Sequence, residues 1–201
     1  MIQGRIVQLR PIELHDLAFL QQLANDPQTA AMLVGWDFPV SMHGQEGWLM
    51  SNVGPTDTKR LIIQQQSGPT VIGTASLSEL DWHNRSACVS VKIAQEYRKR
   101  GGGVDAMMTL AAWAFYVVGL RRLYSKVMVF NSASMSTFVK HCGWRVEGRE
   151  LESVFRKGQW CDLYNIALLR SDFEALADAA DYIERTCPVD VTSQAESCTQ
   201  W

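Results

Sequence analysis

Three cationic residues followed by three glycines, Arg98-Lys99-Arg100-Gly101-Gly102-Gly103, stand between a strand pattern and a helix pattern. The strand reads Ala87-Cys88-Val89-Ser90-Val91-Lys92-Ile93, and the helix is expected over residues 104–118. Glycines at such a junction free the backbone to aim several N–H groups at one point. The first turn of a helix leaves its N–H donors unpaired, and its macrodipole favours an anion there. The cationic side chains add charge, and the construction suits a pyrophosphate. The plainer alternative is a strand–helix turn with a basic surface, because short motifs of this kind also arise by chance.

The surrounding order of segments adds weight. After the helix come Gly119-Leu120-Arg121-Arg122-Leu123-Tyr124, then Val127-Met128-Val129-Phe130-Asn131-Ser132-Ala133-Ser134, then Cys142-Gly143-Trp144-Arg145-Val146-Glu147-Gly148. This order resembles the GNAT superfamily of acyl-CoA-dependent N-acyltransferases. Arg98-x-x-Gly101-x-Gly103 matches its pyrophosphate signature, and Asn131-x-x-Ser134 with Gly143-Trp144 matches its next motif. The segments Glu147-Gly148-Arg149 and Arg156-Lys157-Gly158-Gln159-Trp160-Cys161-Asp162 look like the RimJ/RimL-type branch. That branch includes ribosomal-protein N-terminal, spermidine and amino-sugar acetyltransferases. The resemblance spans roughly residues 4–170 and is specific for fold and donor, not for the acceptor. It implies an α/β protein of three layers, with a splayed, mostly antiparallel mixed sheet flanked by helices.

A chain of 201 residues, with 47% apolar and 20% charged residues, is long enough for one sizeable core. A net charge of −2 argues against a general nucleic-acid binder, so the basic run near position 100 is a local site. The N-terminal residues 1–10 lack a signal-peptide core, and no apolar run is long enough for a membrane helix. A cytoplasmic enzyme is expected, with a homodimer left open. Five cysteines, Cys88, Cys142, Cys161, Cys187 and Cys198, show no metal-site spacing, so no metal is expected. They read as free thiols, small apolar residues of a reducing compartment. Cys142 has a second reading as a nucleophile, for which the sequence offers no histidine partner.

Along the chain, strands are expected over 6–10, 61–65, 71–80, 86–93, 123–129, 144–147 and 160–168. Helices are expected over 13–25, 41–53, 104–118 and 132–142, the last closed by Gly143 as a left-handed cap. Residues 1–170 form the acetyltransferase domain, 171–185 an added amphipathic helix, and 186–201 a mobile tail without periodicity.

Acyl transfer from a thioester to an amine needs a neutral amine, a polarised carbonyl and an exit for the thiolate. Positioning of the two substrates supplies roughly 7–11 kcal/mol of the effect. The resemblance places the pantetheine along the backbone of Lys92, Ile93 and Ala94, as an added strand. It places the pyrophosphate on Arg98, Lys99, Arg100, Gly101, Gly102, Gly103 and Val104, and further donor contacts on Asn131, Ser134 and Phe138. Many relatives carry a tyrosine, the thiolate's proton donor, where this chain has Phe138. A hydroxyl of Ser134, Ser136 or Thr137, or a water, is the expected stand-in, the alternative being a thiolate that leaves unassisted.

Glu79 is the first candidate for general base, ahead of Asp81, Glu46 and His83, and an ordered water relay would also serve; the plain alternative for Glu79 is a solvated strand-end carboxylate. The aromatic residues Trp36, Phe38, Trp48, Trp82 and Trp160 are candidates for stacking on an acceptor, or for capping the core. Acidic residues near them are few (Asp37, Glu46, Asp57), which argues against a polyamine. The expected activity is acetyl transfer from acetyl-CoA to the primary amine of an amino sugar, nucleotide sugar or amino-acid-like metabolite, by direct attack in a ternary complex. The alternatives are N-terminal acetylation of a protein and a non-catalytic acyl-CoA-binding module.

Overall fold

The computed structural model describes residues 1–35, 39–50, 57–156 and 158–187. Eight strands form one sheet in the order β1-β2-β3-β4-β5-β6-β8-β7. They are β1 (Ile2–Gln3), β2 (Val7–Arg10), β3 (Lys59–Gln65), β4 (Val71–Asp81), β5 (Ser86–Ile93), β6 (Arg122–Met128), β7 (Arg145–Arg156) and β8 (Gln159–Leu169). Every pairing is antiparallel except β5 with β6. That parallel pair follows from the right-handed crossover through α4 (Gly102–Tyr116).

One face of the sheet packs on α4. Along β5 the residues Ala87, Val89, Val91 and Ile93 meet the α4 core, so Cys88, Ser90 and Lys92 point to the other face. Helix α4 is buried nearly all round, which is why its sequence is apolar without a polar stripe. Gly73 lets β4 close on the end of β5: a Cβ there would lie 2.0 Å from the Lys92 carbonyl oxygen.

The opposite face carries a smaller core. Leu17 and Leu20 of α1 (Leu17–Asn25) pack on Ile62 of β3, with Trp48 and Leu49 of α3 (Met42–Met50) against them. Between α1 and α3 lies α2 (Pro27–Ala30), capped by the Asp26 side chain on the N–H groups of Gln28 and Thr29. The turn before α1 is held by Asp16, whose buried carboxylate takes two bonds of 2.8 Å from Arg10 and one from the Glu13 N–H.

A second buried carboxylate ties the two ends of the chain to α4. Asp105, 4% exposed in the first turn, accepts from the N–H groups of Arg5, Ile6 and Val7 at 2.8–2.9 Å. Its Oδ1 also takes the Tyr182 hydroxyl at 2.7 Å, from α7 (Ala179–Thr186). Arg5 continues the tie outward to Asp178 and Asp181.

Beyond His141, two segments differ from the sequence expectation. The amphipathic stretch over 172–185 is two helices, α6 (Arg170–Glu174) and α7, and their break lets Leu176 and Ala179 both turn inward. Strand β7 runs to Arg156 rather than ending near 147, its pairing with β8 interrupted by two bulges. The expected tail lies outside the described residues from 188 onward. Among the described residues no helix is long and apolar enough to cross a membrane.

Candidate active site

Strands β5 and β6 pair only over Ser86–Cys88 and Arg122–Tyr124, then separate, while β6 stays paired with β8 to Met128. The sheet is therefore split from Val89 onward. The Val89 carbonyl faces the gap, where the Ser125 hydroxyl donates to it at 2.8 Å. Backbone groups alternate sides along a strand, so those of Val91 and Ile93 face the gap as well. Lys92 and Ala94 face β4 instead: the Ala94 N–H donates to the Ile72 carbonyl at 2.9 Å. Of the three residues expected along the pantetheine, the backbone of Ile93 alone is turned to the gap. Val91 joins it, and only the strand pairing reveals this.

The glycine-rich loop closes the open end of the gap. Lys99 and Gly101 take left-handed backbone angles, with φ of 61° and 82°. The first α4 bond runs from the Asp105 N–H to the Gly101 carbonyl. Among the described residues, the N–H groups of residues 99–104 have no hydrogen-bond partner. Six donors around one helix start form an anion cradle. The Lys99 and Arg100 side chains are exposed beside it. The Arg98 side chain is turned inward, donating to the Ile93 carbonyl at 2.9 Å and to the Thr29 hydroxyl at 2.6 Å. Arg98 thus ties the loop to the strand end and to α2, leaving the loop backbone and its neighbours to meet an anion.

Helix α5 (Ser132–Met135) lies across the gap from the loop and continues as a wider π-helical turn over Ser136–His141. Asn131 is buried and caps α5, accepting from the Ser134 N–H at 3.1 Å; its amide also donates to the Met32 carbonyl. Phe138 is 7% exposed and meets Trp144 edge-on, with ring centroids 4.7 Å apart. It packs as core, so no side chain at this position supplies a proton. Ser134 stands half-buried in the first turn of α5. Cys142 is fully buried, and burial pushes its thiol up to about 12, which leaves it protonated at neutral pH.

At the closed end of the gap, β4 bulges between Ser78 and Asp81, and Glu79 adopts a φ of 53°. Its carboxylate accepts from the Tyr124 hydroxyl at 2.9 Å. Burial and this carboxylate raise the pKa of Tyr124 well above the usual phenol range, so it stays a donor. The other candidates are committed elsewhere or remote. Asp81 caps its turn through the Asn84 N–H and side chain, His83 is exposed in that turn, and Glu46 pairs loosely with His43 on α3.

The aromatic candidates do not gather into one acceptor site. Trp82 lies in the β4–β5 turn, beyond the start of β6, whereas Trp160 lies past the far end of β6, edge-on to Phe155. Both are 61% exposed. Trp48 lies under the Arg60 guanidinium, 5.2 Å from its ring centroid. Trp36 and Phe38 lie outside the described residues. The β7–β8 hairpin leans on the segment after α2, through Arg156 donating to the carbonyls of Leu33 and Gly35.

Residues 7–145 match the family model described as an acetyltransferase (GNAT) domain. A spermidine N(1)-acetyltransferase of Vibrio cholerae is 24% identical over 165 residues, covering 82% of this chain and 94% of that protein. The enzyme of the same name from Escherichia coli K12 is 24% identical over 175 residues, covering 87% and 92%. The crystal structure of the Vibrio cholerae spermidine N-acetyltransferase with CoA and spermine superposes with a TM-score of 0.78 at 23% identity. It covers 84% of this chain and 98% of that one. The split sheet, the donor cradle and the matched model agree, and the chain belongs to the GNAT family of acetyltransferases, with acetyl-CoA as its acyl donor.

Proposed function

We propose that the protein acetylates the primary amine of a small molecule, by direct attack on acetyl-CoA in a ternary complex. The observation that carries this is the gap between β5 and β6, edged by the backbone of Val91 and Ile93 and closed by six unpartnered N–H groups. The loop holds the donor's pyrophosphate at its open end, and the pantetheine runs along β5 as an added strand. The thioester then lies towards the closed end, where Glu79 and Tyr124 stand. The RimJ/RimL-type branch is the finer placement, and the similarity to spermidine acetyltransferases is consistent with a small-molecule acceptor.

In the proposed step, Glu79 takes a proton from the ammonium, directly or through one water, with Tyr124 holding its carboxylate. The amine nitrogen attacks the thioester carbon, the C–S bond breaks, and the acetyl group leaves on nitrogen as an amide. The nitrogen sheds its second proton as the amide forms, and that proton reaches the thiolate through the Ser134 hydroxyl or a water, which passes one on as it receives one, since Phe138 has none to give. Backbone N–H groups facing the gap stabilise the oxyanion.

Thiol release measured across a panel of amines, with the product mass, tests the activity. Acceptor-dependent release with an increment of one acetyl group is the expected result. Tight acetyl-CoA binding without release on any amine, peptide N-termini included, would identify a binding module. Glu79→Gln is expected to lower turnover most below neutral pH, with acetyl-CoA affinity retained, and to recover where the amine deprotonates by itself. Wild-type turnover across the pH range would make Glu79 structural.

A further inference from the structure

The face of β3, β4 and β5 turned away from α4 carries two cations. In the strand register Arg60 lies opposite Ser76, and Ser76 opposite Ser90; in the next row Ile62 lies opposite Thr74, and Thr74 opposite Lys92. Arg60 and Lys92 therefore occupy adjacent rows of one face. The remaining side chains in those rows, Ser76, Ser90 and Thr74, are small and hydroxylic. Ile62 is taken up by the packing of α1. Ser90 and Lys92 are the outward residues of the strand half that borders the gap, on the sheet face opposite α4, and Lys92 carries the charge.

Like charges on neighbouring rows of a sheet repel, and neither is fully solvated. Both Arg60 and Lys92 are half-buried. Among the described residues no hydrogen-bond or ion-pair partner meets the Lys92 ammonium, and the charged group that acts on it is Arg60. Burial, reinforced by Arg60, lowers the Lys92 pKa below the ordinary ammonium value. Arg60 is held against Trp48 and feels the exposed Asp57. The carboxylate at the closed end, Glu79, is taken by Tyr124. A polyamine would bring further positive charge onto this face.

We infer that the acceptor carries an anionic group as well as its amine, and that this group sits on Lys92 with Arg60 beside it. The inference rests on this face being the acceptor side of the proposed reaction. Cys88, at the closed end, and Lys92 are four residues apart, about 13 Å along the strand. Side chains reach in from both ends of that span, so a spacer of a few atoms joins the amine to the anion. A carboxylate and a phosphate share the chemistry that two cations recognise.

The test uses pairs of amines that differ by one anionic group: butylamine with 4-aminobutanoate, and glucosamine with glucosamine 6-phosphate. Spermidine serves as the cationic comparison. Binding is measured by calorimetry to the full chain saturated with CoA, which cannot transfer an acetyl group, so the result does not depend on turnover. The anionic member of at least one pair is expected to bind about 10-fold or more tightly than its partner, as for one charge-assisted contact. Which pair responds separates carboxylate from phosphate. Lys92→Gln is expected to abolish that preference, and Lys92→Arg to restore part of it.

The inference is overturned by equal binding within both pairs, by spermidine binding more tightly than every anionic amine, or by a preference that survives Lys92→Gln. Loss of CoA affinity in Lys92→Gln would also overturn it, by assigning Lys92 to the donor. Failure of the transferase reading appears separately, as absence of thiol release with acetyl-CoA.

Discussion

Asp105→Asn is the sharpest test of what holds the donor helix in place. The carboxylate receives four donors, two on each oxygen: Arg5 N–H and Tyr182 hydroxyl on Oδ1, Ile6 and Val7 N–H on Oδ2. An asparagine keeps one acceptor oxygen and puts an NH2 in place of the other. The less costly orientation puts the NH2 where Oδ1 stood, because the tyrosine hydroxyl can rotate to accept. The Arg5 N–H then loses its acceptor, which costs about 1–3 kcal/mol. The bonds to Ile6 and Val7 lose charge assistance, roughly half their strength. The negative charge in the first turn of α4 also goes, about 0.3–1 kcal/mol at a helix N-terminus. Together these give about 3 kcal/mol, or roughly 6–12 °C in Tm for a domain of this size. Urea and thermal unfolding followed by circular dichroism measure it, with Tyr182→Phe as the companion that removes one donor and costs less. A change below about 0.5 kcal/mol in Asp105→Asn would refute the buried network as a structural tie.

Gly103→Val adds a side chain whose Cβ would stand 3.4 Å from Ile93 Cγ1, at the junction of loop and strand. Acetyl-CoA affinity by calorimetry is expected to fall about 10-fold or more with the fold kept; unchanged affinity would move the pyrophosphate elsewhere. The Asp16 carboxyl is raised by burial, but its bonds to Arg10 and to the Glu13 N–H outweigh this and hold it below the usual carboxylate range. A depressed folded pKa means stability that is present above about pH 4 and lost as pH falls through the folded value. Asp16→Asn is expected to cost about 3 kcal/mol at pH 7, by leaving Arg10 partly buried without its partner, and to flatten the acid limb of a stability–pH curve. An unaltered acid limb would show that other carboxylates govern it.

The strand, glycine-rich loop and helix proposed to hold the donor were legible because their signals are local. A run of three glycines, of which Gly101 takes a left-handed angle, an alternating strand before it and an apolar helix after it stand within one stretch of chain. The structure keeps that order, moving the helix start only from 104 to Gly102. Gly143 does take the left-handed angle expected of a cap, with φ of 71°. What escaped sequence reasoning depends on partners far along the chain. Arg98 reads from the loop as a phosphate ligand, and its bond to Thr29, 69 residues away, is visible only in the fold. The wide turn over Ser136–His141 adds no change of composition, so an α-helical count could not find it. Strand β7 ran past its expected end because its outward residues alternate across bulges, which blur the period of two.

The proposed acceptor side shows the same limit in stronger form. Arg60 and Lys92 belong to different strands, and nothing between them in sequence hints that they share a face. Two registers, β3 on β4 and β4 on β5, must be known before the pair exists. A one-residue slip in either would send one cation to the α4 face. The scarcity of acids near the tryptophans pointed away from a polyamine, although relatives with the same fold are named for spermidine. The fold and donor cradle are compatible with that name, because they make no contact that distinguishes one amine from another. On the proposed reading, discrimination among amines falls to side chains on the opposite sheet face, where charge decides which acceptor can approach.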